Sequence, residues 1–129
     1  RRPSRRPSRR AADDGPTDKS TLHTGNNLAH SLNGSGQFAE AKTLSRKLIP
    51  QLRRAFGSNH VMTLNCHATF AEALYSAAGA SRADVLQAVA ILEDVTRYNL
   101  RVLGKHHPDT LETLARLEGA RMKYEDVAA

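Results

Sequence analysis

Six histidines and a single thiol are the side chains of this 129-residue chain with the most chemistry to offer. Imidazole can shuttle protons near neutral pH or ligate a metal, and a thiolate beside an imidazole is a nucleophile. Spacing decides whether any of that is built. His67 directly follows Cys66, and sequence neighbours on a helix face different ways, so the two make no nucleophile–base pair. Cys66 reads instead as a small buried hydrophobe. His106-His107 is the nearest approach to a metal motif, but no cysteine or further histidine stands at ligand spacing around it. His60 and His107 each precede an apolar-periodic run, where a ring can hydrogen-bond exposed backbone groups. Gly34-Ser35-Gly36 follows no strand, so it is no phosphate-cradling loop. Asp13-Asp14 lies in the tail and Glu93-Asp94 are neighbours that point to different sides of a helix, so neither makes an oriented acid–base pair. The expectation is a protein that is not an enzyme and needs neither metal nor cofactor.

The elements that would position these residues follow from composition and periodicity. Hydrophobic residues make up 40% and charged residues 25%, ordinary for one small globular domain. Aromatics are only 5% and Trp is absent, so Ala, Leu and Val must build the core. No apolar run reaches the roughly 18 residues that span a bilayer. One cysteine excludes a disulfide scaffold. The chain opens on Arg1 without a secretory apolar segment and stops halfway through a unit, so it reads as a piece that continues into further repeats. A cytosolic or nuclear setting fits, and a cytoplasmic protein is the expectation.

The formal charge of +6 is unevenly spread. Residues 1–20 hold six arginines and Lys19 against Asp13, Asp14 and Asp18, which leaves the remainder nearly neutral. Arg-Arg-Pro-Ser occurs twice at the start. Proline at that spacing forbids a helix, and nothing apolar is present to bury, so 1–20 is expected to be a disordered basic tail. Ser4 and Ser8 fit basophilic kinase sites, and each phosphate would add about −1.5 to −2 charges. The tail gives a weak site for an acidic partner, which makes nucleic-acid or acidic-surface binding the alternative function.

From Ser20 the apolar residues fall at helical steps. Helices are expected at about 21–34, 38–56, 61–78, 82–103 and 108–124. Pro50 should kink the second of them. Ser81 and Asp84 form a capping box, and Pro108 opens the last helix. These helices come in copies. Thr21-Leu22 recurs as Thr63-Leu64, 42 residues on, and again as Thr110-Leu111 after a further 47. Leu28-Ala29 matches Phe70-Ala71, and Phe56-Gly57 with His60 matches Leu103-Gly104 with His107. The offsets differ by five, which places an insertion near residues 79–83. Glu118 and Arg121 stand where Ala71 and Leu74 stand one unit earlier. Hairpins that cannot bury both faces alone must stack on one another.

The stretches Asn26-Asn27-Leu28-Ala29-His30-Ser31-Leu32, Gly36-Gln37-Phe38-Ala39-Glu40-Ala41 and Leu103 to Leu111 resemble the tetratricopeptide repeat family, in its kinesin light chain type with 42-residue units. The resemblance implies an all-α fold over 21–129, with about 2.5 repeats of tandem helical hairpins stacked as a right-handed superhelix. It implies a non-enzymatic module that holds a protein or peptide in a concave groove, as an adaptor or scaffold. Carried over position by position, it puts Asn26, Asn27, His30, Asn33, Asn65, Thr69, Tyr75 and Arg116 in that groove. Asn side chains both donate and accept, which suits a peptide backbone. With no lysine or arginine at the first unit's positions, a strong carboxylate clamp is not expected, and Arg116 with Lys123 gives at most a weak cationic end.

Overall fold

The computed structural model describes residues 18–128, so the basic tail with Ser4 and Ser8 lies outside the described residues except for its last three. Five helices follow one another: α1 (Lys19–Gly34), α2 (Phe38–Phe56), α3 (Val61–Ser76), α4 (Arg82–Val102) and α5 (Pro108–Ala128). No strand occurs among the described residues, and the fold is all-α.

Capping chemistry sets most of the boundaries. The Asp18 side chain accepts from Ser20 N at 2.7 Å, which starts α1 two residues before the apolar pattern does. Ser81 and Asp84 close a reciprocal capping box, with Asp84 N to Ser81 Oγ at 3.0 Å and Ser81 N to Asp84 Oδ2 at 3.3 Å. His60 Nδ1 accepts from Met62 N at 3.0 Å, and His107 Nδ1 accepts from Asp109 N at the same distance. Both rings thus cap the first turn of the helix that follows. The corners before them are also duplicates. Gly57 and Gly104 have φ of 102° and 91°, a conformation that side-chain-bearing residues adopt only with strain.

Pro50 and the insertion between the units bear on two expectations. Helix α2 runs through Pro50 to Phe56 as one element. The proline ring is on the exposed side, and the neighbouring Gln51 side chain donates to the Lys47 carbonyl at 3.3 Å, in the turn the ring disturbs. The extra residues between units do not sit in the turn alone. The turn after α3 spans five residues against three after α1, and α4 begins about one turn earlier than its α2 counterpart. The Ser81 cap stabilises that added turn.

The helices pack in order along the chain, α1 on α2, α2 on α3, α3 on α4 and α4 on α5. In addition α1 touches α3 and α3 touches α5, whereas α2 and α4 do not meet. This is an open succession in which the odd helices also touch one another and the even ones do not. Burial follows the repeat. Helix α1 buries Leu22, Asn26, Ala29 and Asn33, while α5 buries Thr110, Thr113, Leu117 and Ala120. Shifted by the repeat lengths these are opposite faces of one unit. Helix α3 has neighbours on both sides and buries residues of both sets, among them Thr63, Cys66, Phe70, Ala73, Ala68 and Ala71. Ala29, Ala41, Ala71 and Ala88 are each 0% exposed, so the helices approach closely along an alanine seam.

Cys66 is inside this core, with its thiol directed at the Ser45 carbonyl at 3.6 Å. Burial pushes its pKa up to about 12. At pH 8 the native protein is expected to resist iodoacetamide for hours, then alkylate within minutes in denaturant; mass spectrometry of the Cys66 peptide reads this. Fast labelling of the folded chain would contradict the burial.

Candidate functional site

Because the odd helices form one layer, residues one turn apart on α1, α3 and α5 come side by side. Asn26, Asn27 and His30 from α1, Asn65 and Thr69 from α3, and Glu112 and Arg116 from α5 line one open cavity of about 200 Å³. Six of the eight residues carried over from the resemblance therefore meet in one place. Asn27 and His30 are exposed and Asn65 is half-buried, so all three offer polar atoms to solvent. Asn26 is only 7% exposed, and its Oδ1 has no hydrogen-bond partner in the structure. A buried acceptor left unpaired costs roughly 1–3 kcal/mol, so the cavity wall carries unused hydrogen-bonding capacity.

Asn33 and Tyr75 do not join this group. Asn33 is buried and donates through Nδ2 to the Thr69 carbonyl at 2.9 Å, so it ties α1 to α3 instead of facing the cavity. Tyr75 is half-buried beside Gly119, where a Cβ would come within 3.1 Å of the hydroxyl. Its pKa is raised by burial first and by the Glu72 carboxylate second. It fills the α3–α5 contact, where Gly119 gives it room.

The electrostatics of the cavity rest on Arg116, whose side chain is only 11% exposed. Its Nε donates to Glu72 Oε1 at 3.2 Å and an Nη to Glu112 Oε2 at 3.3 Å. The guanidinium therefore clamps α3 to α5, and its charge is already satisfied. Lys123 is occupied as well, its Nζ donating to the Ala77 carbonyl at the end of α3 at 3.4 Å. The weak cationic end expected from these two residues is spent inside the fold. Glu72 and Glu112 stand on concave positions by the same resemblance, but their pairing with Arg116 was not expected. The signal was the Glu112–Arg116 spacing of four on one helix.

A second cavity of about 270 Å³ adjoins the first and shares Asn65 with it. Its lining is mainly apolar, with Val61 and Leu64 of α3, Val102 of α4 and the following Leu103, together with Tyr98, Asn99, His107 and Asp109. Val61, Val102 and Leu103 are all more than a third exposed.

No group of three or more His, Cys, Asp or Glu residues able to hold a metal exists among the described residues. No described helix is long and apolar enough to cross a membrane. His67 is half-buried, and its pKa is lowered by desolvation first and by Arg53 second. A histidine held neutral in the fold is a liability in acid, because the unfolded chain takes up its proton first. Stability is therefore expected to fall as pH drops through the ordinary imidazole range of about 6.5, and His67→Gln should flatten that slope in urea titrations between pH 7.5 and 5. An unchanged slope would show that other groups set it.

Residues 21–61 match the family model for the Tetratricopeptide repeat. The match covers α1, α2 and the corner that leads into α3, so this helical hairpin is similar to a tetratricopeptide repeat, which suggests protein partners. No curated protein and no solved structure matches the chain.

Proposed function

We propose that the protein is a non-enzymatic interaction module that holds an extended peptide, or an extended segment of a larger protein, against α1, α3 and α5. The observation that supports this reading is the convergence of Asn26, Asn27, His30, Asn65 and Thr69 from two repeat-equivalent helices on one open cavity, with Asn26 Oδ1 unpaired. Amide side chains in such a row match the alternating donors and acceptors of a peptide backbone. The adaptor or scaffold role of kinesin light chain type belongs to the same proposal, as do a cytoplasmic location and the winding of the stacked hairpins into a right-handed superhelix.

A peptide-display selection against the full chain tests it. Enriched peptides should still bind after residues 1–10 are removed, and should lose about tenfold or more in affinity with Asn27→Ala plus Asn65→Ala. Asn33 is left intact, since the Thr69 carbonyl depends on it. Binding that falls steeply with salt and vanishes with residues 1–10 would defeat the groove reading in favour of an acidic-surface or nucleic-acid binder.

A further inference from the structure

The polar cavity and its apolar neighbour are two parts of one surface, because Asn65 lines both. Their chemistry differs in a way that describes an occupant. The apolar part has a volume of about 270 Å³ and is walled by Val61, Leu64, Val102 and Leu103. It has room for one aliphatic side chain. Exposed apolar walls of this kind gain by being covered, at roughly 25 cal/mol per Å².

Charge describes the rest. Across the two linings the carboxylates are Asp109 and Glu112, and the guanidinium is Arg116. Arg116 is already shared between Glu72 and Glu112, and Glu112 keeps 54% of its side chain in solvent. Arg101 sits over the Tyr98 ring at 5.5 Å and does not line the cavity. An incoming segment therefore meets carboxylate oxygens and no unpaired guanidinium. An acidic ligand would be repelled, and a cationic side chain attracted.

Spacing joins the two halves. Asp109 and Glu112 are one turn apart on α5, a rise of about 4.5 Å. In an extended segment, side chains on the same side recur every second residue, about 6.6 Å apart. Asp109 lines the apolar cavity itself and Glu112 the adjoining one, so a long basic side chain two positions from the aliphatic one has these carboxylates on its side of the groove.

We infer that the groove selects an extended segment carrying an aliphatic residue and, two positions along, a lysine or arginine. The aliphatic side chain enters the Val61–Leu64–Val102–Leu103 cavity, and the cation lies beside Asp109 and Glu112. This deepens the proposed function and rests on it.

The test uses fluorescein-labelled nonapeptides of glycine and serine around a Leu-Gly-Lys core, with matched Ser-Gly-Lys and Leu-Gly-Glu cores, titrated into the full chain at low salt. The Leu-Gly-Lys peptide should bind about tenfold tighter than the serine form, the value of one buried aliphatic side chain. It should exceed the glutamate form by about fivefold. Val102→Ser with Leu103→Ser should remove the leucine preference only, and Glu112→Lys should invert the charge preference only. Val102, Leu103 and Glu112 are all exposed, and Arg116 keeps Glu72 when Glu112 is replaced; circular dichroism and a urea midpoint check that each variant stays folded, and Glu112→Gln, which should only weaken the lysine preference, serves if Glu112→Lys does not. Equal affinity for all three peptides, a preference for glutamate, or no binding by any of them would overturn the inference. If the three bind equally and Asn27→Ala with Asn65→Ala still abolishes binding, the groove reading survives and only this selectivity falls.

Discussion

Phe70→Ala is expected to cost about 3–5 kcal/mol, while Leu28→Ala, the same repeat position 42 residues earlier, should cost less than about 1 kcal/mol. The two side chains are copies in sequence and opposites in environment. Phe70 is 7% exposed in the centre of the core, with Arg46 over its ring at 5.5 Å. Leu28 is 52% exposed, because α1 has no described helix on that side. Removing the Phe70 ring loses both its transfer free energy and the packing around the cavity left behind. Natural domains hold only about 5–15 kcal/mol in total, so this one change takes a large share. Urea unfolding followed at 222 nm measures both variants. Similar losses for the two would mean that α1 is covered on the face this structure leaves open.

Ala71→Leu and Glu118→Leu make the second matched pair, and here the substitution adds volume. Ala71 is 0% exposed in the seam between α3 and its neighbours, so three more carbon atoms have no space without moving a helix. Overpacking of that kind typically costs about 1–3 kcal/mol. Glu118 occupies the same position 47 residues later, on the exposed side of α5. Leucine there should change stability by no more than about 0.5 kcal/mol in either direction. If Glu118→Leu instead destabilises as much as Ala71→Leu, the outer face of α5 is not free in solution.

These pairs also explain why so much of the fold was legible in the chain. The 42- and 47-residue spacings carry the helix phases, because each unit must present the same two faces to its neighbours. Gly57 and Gly104 mark the corners, with His60 and His107 as caps, and those residues can be read directly. Helix lengths were less legible. The start of α1 depends on the Asp18 cap, and α5 continues to Ala128 past the end of the readable apolar pattern.

Site residues divide along a physical line. Asn27, His30 and Asn65 could be placed because an exposed polar position on the inner helices faces the groove wherever the helix is in phase. Asn33 could not, because an asparagine that bridges two helices and one that faces solvent have the same spacing. Arg116 was misread for a related reason. Its formal charge is visible in the sequence, but its pairing with Glu72 crosses 44 residues and exists only once α3 and α5 lie together.

Helix α3 touches each of the other four helices. A pull applied between Lys19 and Ala128 would pass through that keystone last, after the outer helices peel away one by one. Such a chain yields to tension in small steps from its margins, and its middle is the last part to let go.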